Sequence, residues 1–354
     1  MGLTILSPKS AIPGLVKRVI LKQTGKDVTG DRVTLIQLTD QPVALDNGLQ
    51  GTPLEITTAN PSNYYQAISD PQQMEQAQIY GQLYLPKQSQ NKAEPPWPVV
   101  IIVPGSLGVA PSHMAKAKKL TSQGIAACVI DPFSARGVAS TVANQAQYSF
   151  AASAWDVLAA ADKLSKRDEI DTGRIGAQGH SRGGSAIIAA ACMTPLVPNA
   201  IPLRGLYAAY PWCGMQFLTP NVGATRVRSI IGDKDEWCLP QQVQGQMHAM
   251  RLCGADATCK IIAGAHHSFD RDTSVELVKE ASVAPGAPTI YIHNDGTCVH
   301  PLTNEAKPDF SERELMLYGI KAGYGVRGAH IGSADNHAAQ FDADMMAFWN
   351  ETLC

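Results

Sequence analysis

From about residue 79 the chain takes short apolar runs and longer amphipathic stretches in turn. Ile79-Tyr80-Gly81-Gln82-Leu83-Tyr84-Leu85 alternates apolar and polar positions, which predicts a strand with one buried face. Val99-Val100-Ile101-Ile102-Val103 is an unbroken apolar run closed by Pro104-Gly105, as a strand covered on both faces requires. A helical stretch at about 112–123 leads into a second buried strand, Ile125–Ile130. Residues 146–166 then place Trp155, Val157, Leu158 and Leu164 on one helical stripe. A strand over Arg174–Gln178, a glycine-rich turn and an alanine-rich helix over 186–192 follow. Gly205–Ala209, Arg226–Ile231 and Thr258–Ala263 read as three more strands. Residues 335–352, with Phe341, Met345, Met346, Phe348 and Trp349, read as a closing amphipathic helix. Strands alternating with helices at these gaps predict the α/β class, with a mostly parallel, doubly wound sheet.

The flanks read differently. Residues 1–75 are irregular and rich in Thr, Gln, Asn and Pro, with short strand-like runs such as Val33-Thr34-Leu35-Ile36. They are expected to form an N-terminal extension packed on a main domain of 76–354, and 275–325 reads as an insertion within that domain. A length of 354 residues suits one large α/β domain with such decorations.

Composition narrows the function. Apolar residues make up 45% and charged residues 17%, which fits a globular enzyme with its own core. Lys plus Arg (29) nearly cancels Asp plus Glu (31), with no basic run to track phosphates, so a nucleic-acid partner is not expected and a small molecule is. No stretch approaches the roughly 18 apolar residues of a membrane span. The N-terminus lacks a basic segment followed by an apolar one, so a cytoplasmic location is expected, with periplasm or secretion open if a leader has been removed. None of the eight cysteines forms a C-x-x-C pair. Cys253 and Cys259 could close a short loop in an oxidising compartment, although reduced, partly buried thiols are the simpler reading. No His or Asp cluster has metal-ligand spacing, and neither a metal nor another cofactor is expected. Oligomeric state is not legible.

The chemistry concentrates at Gly179-His180-Ser181-Arg182-Gly183, a G-x-S-x-G placed between an apolar strand and an alanine-rich helix. Small flanking residues let strand and helix approach, so the serine can occupy a strained turn and present its hydroxyl at the sheet's edge. A serine hydroxyl is a weak nucleophile unless a base accepts its proton, and an acid must orient that base. Both follow in the order Ser, acid, His. Ser229-Ile230-Ile231-Gly232-Asp233-Lys234-Asp235 runs from a strand into an acidic turn, and Ile261-Ile262-Ala263-Gly264-Ala265-His266-His267-Ser268 runs from a strand into a His loop. Asp235, further out on the rim, is preferred to Asp233, which could simply cap the turn; His267 is preferred to His266. His180 is expected to pack, and His330 and His337 to lie at the surface or cap the final helix. Two backbone N–H groups should hold the oxyanion: that of Arg182, and one from the loop after the first long strand, with Ser106 ahead of Leu107. Phe133, Arg136 and Trp237 stand at carboxyl ends of strands as candidate substrate contacts. Arg136 could hold a carboxylate or pair with a structural acid, and Trp237, like Trp212, could serve as a platform or pack.

Several segments together resemble the dienelactone hydrolase family: Ser-Arg-Gly-Gly at 181–184, Asp131-Pro132-Phe133-Ser134-Ala135-Arg136-Gly137, Tyr210-Pro211-Trp212-Cys213, Gly232-Asp233-Lys234-Asp235-Glu236-Trp237, and Gly264-Ala265-His266-His267-Ser268-Phe269-Asp270. The resemblance spans roughly 78–272. It implies an α/β-hydrolase core with a triad of Ser181, Asp235 and His267. The family proper carries cysteine at the elbow and many relatives have His-Gly at the oxyanion loop; here Ser181 and Pro104-Gly105 stand there. Hydrolysis of a small-molecule carboxylic ester through an acyl-enzyme is therefore expected in preference to lactone opening. A peptidase or amidase with the same triad, and a binding scaffold that has lost catalysis, are the alternatives.

Overall fold

The computed structural model describes residues 35–87 and 94–354. Most of the expected N-terminal extension, including Val33 and Thr34, lies outside the described residues. In chain order the first half contains β1 (Thr52–Ala59), α1 (Tyr64–Ser69), β2 (Gln76–Tyr84), β3 (Trp97–Val103), α2 (Pro111–Ser122), β4 (Ala126–Asp131), α3 (Phe150–Ser165), β5 (Ile170–His180) and α4 (Arg182–Met193). β6 (Gly205–Ala209), β7 (Met215–Phe217), β8 (Arg226–Gly232), α5 (Pro240–Leu252) and β9 (Ala257–Ile262) follow. The chain ends with β10 (Glu276–Val283), β11 (Ile290–Ile292), β12 (Cys298–Val299), β13 (Ala306–Lys307), α6 (Glu312–Lys321), β14 (Val326–Ile331) and α7 (His337–Leu353).

Eight strands form the central sheet in the order β1-β2-β4-β3-β5-β6-β8-β9. The β1–β2 and β2–β4 pairs are antiparallel, and every pair from β4–β3 onward is parallel. β3, β4 and β6 are buried along their whole length, as sequence runs without polar interruption require when helices cover both faces. The sheet is the mostly parallel, doubly wound one that the alternation of elements predicts, and the fold is the α/β-hydrolase type that the resemblance implies.

One expectation about organisation needs correcting. β1 lies before residue 75 yet is the edge strand of the main sheet, with Ile56 opposite Ile79 in register. Its Leu54 and Ile56 alternate inward while Glu55 and Thr57 face out, so the domain starts upstream of the expected boundary. The insertion, for its part, is ordered as a small unit of its own. β10 and β14 pair antiparallel, and between them β13, β12 and β11 join β7 in a four-stranded sheet beside α6.

α7 closes the core. Phe341, Phe348 and Trp349 are fully buried, and Trp349 donates its indole N–H to Gln178 Oε1 on β5 at 2.9 Å. Its Asp344 accepts from Tyr207, Arg228 and Lys260, which ties the helix to β6, β8 and β9. All eight cysteines are free thiols, Cys253 at the exposed end of α5 and Cys259 half-buried on β9. Among the described residues no helix is long and apolar enough to cross a membrane.

Candidate active site

Ser181 stands between β5 and α4 with φ 53° and ψ −117°, a conformation that costs a non-glycine residue energy and persists only where its surroundings enforce it. The enforcement comes from two glycines. A Cβ at position 179 would lie 2.1 Å from the carbonyl oxygen of Gly183, and one at 183 would lie 2.3 Å from that of Val103. No other residue lets strand, turn and helix approach this closely. The Ser181 N–H donates to Ala209 O at 2.9 Å, fixing the turn to β6.

Ser181 Oγ lies 2.9 Å from His267 Nε2, and His267 Nδ1 lies 2.7 Å from Asp235 Oδ2. The other Asp235 oxygen accepts the backbone N–H groups of Trp237 and Cys238, each at 2.9 Å. Asp235 and His267 are both buried, so water does not weaken this line of hydrogen bonds. Two aromatic rings hold the His267 imidazole. Trp237 stacks on it at 5.2 Å and 15°, and Tyr210 meets it edge-on at 4.8 Å. The His267 carbonyl accepts from Gly332 at 2.8 Å, which ties the His loop to the end of β14.

The competing residues have other partners. Asp233 accepts the Gly264 N–H at 2.7 Å and so caps the turn. His266 lies against His330, which pairs with Glu236. His337 opens α7. His180 is buried among His113, Tyr210 and Phe341, and burial drops its pKa to about 3, so it stays neutral.

Arg182 is the first residue of α4, where a helical N–H has no intrahelical acceptor, and Ser106 and Leu107 line the small pocket at Ser181. Gly108 N donates to Gly105 O and Thr141 N to Ser106 O; among the described residues the N–H groups of Ser106 and Leu107 have no backbone acceptor. Backbone N–H groups of Arg182 and of the Ser106–Leu107 loop therefore lie near the nucleophile.

The three candidate substrate contacts separate. Trp237 lines the space at Ser181; Phe133 and Arg136 do not. Arg136 forms a two-pronged, buried ion pair with Asp156 at 2.8 and 2.9 Å and also donates to Asn60 and Pro132, the structural of its two readings. Phe133 packs against Tyr148 in a side cluster. Three residues that sequence reasoning passed over do reach the site. Cys238 lines the cavity beside Ser181, and burial together with the Asp235 charge holds its thiol protonated. Arg271 lines a small pocket with Ser181 and His267, and Glu312 enters the large cavity from α6. Arg271, four residues beyond His267 on the same loop, could have been found by that spacing; no local signal marks the other two. Asp235, Cys238 and His267 also form a group whose potential ligand atoms all lie within 4.8 Å of one another. A metal there would compete with the hydrogen bonds of the Ser181–His267–Asp235 line.

The dienelactone hydrolase family model matches residues 81–286, more than half of the chain. No curated protein matches the sequence. Among solved structures, the chain resembles P91, a dienelactone hydrolase-like promiscuous phosphotriesterase from metagenomic libraries, at 18% identity and a TM-score of 0.46, over 62% of this chain and 85% of that one. It also resembles the esterase Est2 of Thermogutta terrifontis at 14% identity and a TM-score of 0.42, over 59% and 84%.

Proposed function

We propose, from the premise that the chain belongs to the dienelactone hydrolase family and is a carboxylic ester hydrolase, that it acts by two-step acyl transfer through Ser181. The observation that carries this reading is the unbroken line from Ser181 Oγ through His267 to Asp235 at 2.9 and 2.7 Å.

Ser181 Oγ attacks the ester carbonyl carbon while its proton passes to His267 Nε2. The negative charge that forms on the carbonyl oxygen is held by the N–H groups of Arg182 and Ser106, with Leu107 as the other donor on that loop. When the intermediate collapses, the bond to the alcohol oxygen breaks, His267 gives that oxygen its proton, and the acyl group stays on Ser181. A water molecule then loses a proton to His267 and attacks the acyl carbon. The acid leaves, and Ser181 regains its proton. Asp235 stabilises the imidazolium that forms twice in the cycle and holds the ring with Nε2 toward the nucleophile.

The test is Ser181→Ala, assayed against wild type on a panel of short esters. A loss of roughly 10,000-fold or more in kcat is expected, as for removal of a triad nucleophile. Turnover at the wild-type rate in folded Ser181→Ala would remove Ser181 from the mechanism.

A further inference from the structure

We infer that the substrate is the ester of a bulky, mainly apolar carboxylic acid with a small alcohol: the acyl group fills a cavity roofed by the insertion, and the alcohol departs through a second, much smaller one. This rests on the acyl-enzyme reading above.

Two cavities of very different size meet at Ser181, and both are also lined by Ser106 and Trp237. The larger, about 420 Å3, has the volume of a drug-sized ligand site. Phe150, Trp212 and Met215 from the core face Leu315, Met316 and Ile320 of α6 across it. Leu317 and Ile320 line it and yet are 44% and 62% exposed, so the mouth is apolar as well. Burial of an acyl chain against such a surface favours binding roughly four-fold per methylene.

The buried charged groups in this wall are already engaged, and the exposed Arg327 is engaged in part. Arg182 donates to Ser153 Oγ at 3.2 Å, to Gln145 O and Oε1 at 3.3 and 3.0 Å, and to Tyr148 O, with its guanidinium carbon 3.9 Å from the centre of the Phe150 ring. Glu312 accepts from the backbone N–H groups of Phe150 and Ala151. Arg327 donates to Ala143 O and Glu280 O. An anionic acyl group meets no buried, unengaged ion-pair partner here; the exposed Arg327 keeps free N–H groups at the rim, and the Tyr318 hydroxyl, without a hydrogen-bond partner among the described residues, can take one polar atom of a mainly apolar chain.

The smaller cavity, about 30 Å3, holds about two water-sized groups. His267 and Ser268 line it, and His267 does not line the larger one. That difference sets the direction of the substrate. The alcohol oxygen must come within hydrogen-bond reach of His267 to take its proton, so it lies on the small side. The acyl chain is left with the large side.

Two isomeric esters separate the orientations: methyl naphthylpropanoate, with the ring in the acid, and naphthylethyl acetate, with the ring in the alcohol. For the wild-type protein kcat/KM is expected to be about ten-fold or more higher for the methyl ester. In Ala287→Phe, which adds a ring to the wall of the large cavity, the ratio of methyl naphthylpropanoate to methyl propanoate turnover should fall about ten-fold. Equal rates for the two isomers, or faster cleavage of the acetate, would overturn the inference. If Ser181 is still labelled by a fluorophosphonate in that case, the acyl-enzyme reading stands without it. If no ester is cleaved and Ser181 is not labelled, both fall.

Discussion

Both carboxylate oxygens of Asp235 are occupied before any substrate arrives, one by His267 Nδ1 and the other by the N–H groups of Trp237 and Cys238. An amide at this position keeps the shape but aims a donor at donors or reverses the imidazole tautomer. Asp235→Asn is therefore expected to lower kcat roughly 10,000-fold while the melting temperature changes little. Asp233→Asn should leave kcat within a few-fold, because Asp233 holds only the Gly264 turn. Steady-state kinetics with thermal melts on the two variants decide between them. Much of this site could be read from the sequence, because Ser181, Asp235 and His267 each follow an apolar run that ends at the same rim. The choices between neighbours were harder: a turn's exact path decides whether Asp233 or Asp235 faces the histidine. Arg136 shows where local reading stops, since its partner Asp156 lies twenty residues on and a helix away.

At the scale of elements, α6 is latched to the core by Glu312, which accepts the first N–H groups of α3. Burial raises the Glu312 pKa from 4.5 to about 7, against the pull of those two N–H groups and of Arg182. With the folded pKa above the unfolded one, the native state holds its proton more tightly, and ionisation costs stability as pH rises from about 4.5 to about 7. Below that window the contribution is fully present; above it the loss is complete. Glu312→Gln should abolish this slope, so the melting temperature of wild type should fall relative to the variant between pH 5 and 7.5. Parallel curves would contradict it. The large elements were legible because their apolar runs are long. The elements inside the insertion were not: β12 and β13 have two residues each, too few to show a period. α5 was passed over as well, although its buried Val243, Met247 and Met250 stand at i, i+4 and i+7, the spacing of a helical stripe.

The molecule as a whole is a mostly parallel sheet whose individuality sits above the carboxyl ends of its strands. The core is held by distant contacts, and α7 is the clearest case. Phe341, fully buried, packs against Tyr207, Phe269 and His180, so Phe341→Ala is expected to cost about 3–5 kcal/mol in a denaturant titration. Fold class followed from the order of strands and helices, but the cavity did not, because it exists only where α6 and β10 are brought over Ser181 by pairings between segments far apart in sequence. The central claim concerns one atom in that space, the Ser181 hydroxyl oxygen. Its most direct test is fluorophosphonate labelling followed by peptide mapping alongside residual esterase activity. One adduct on the Ser181 peptide is expected, with activity lost in proportion to labelling and no adduct in Ser181→Ala. Full ester turnover in protein whose Ser181 is quantitatively labelled, or inactivation by an adduct on another residue, would contradict the account.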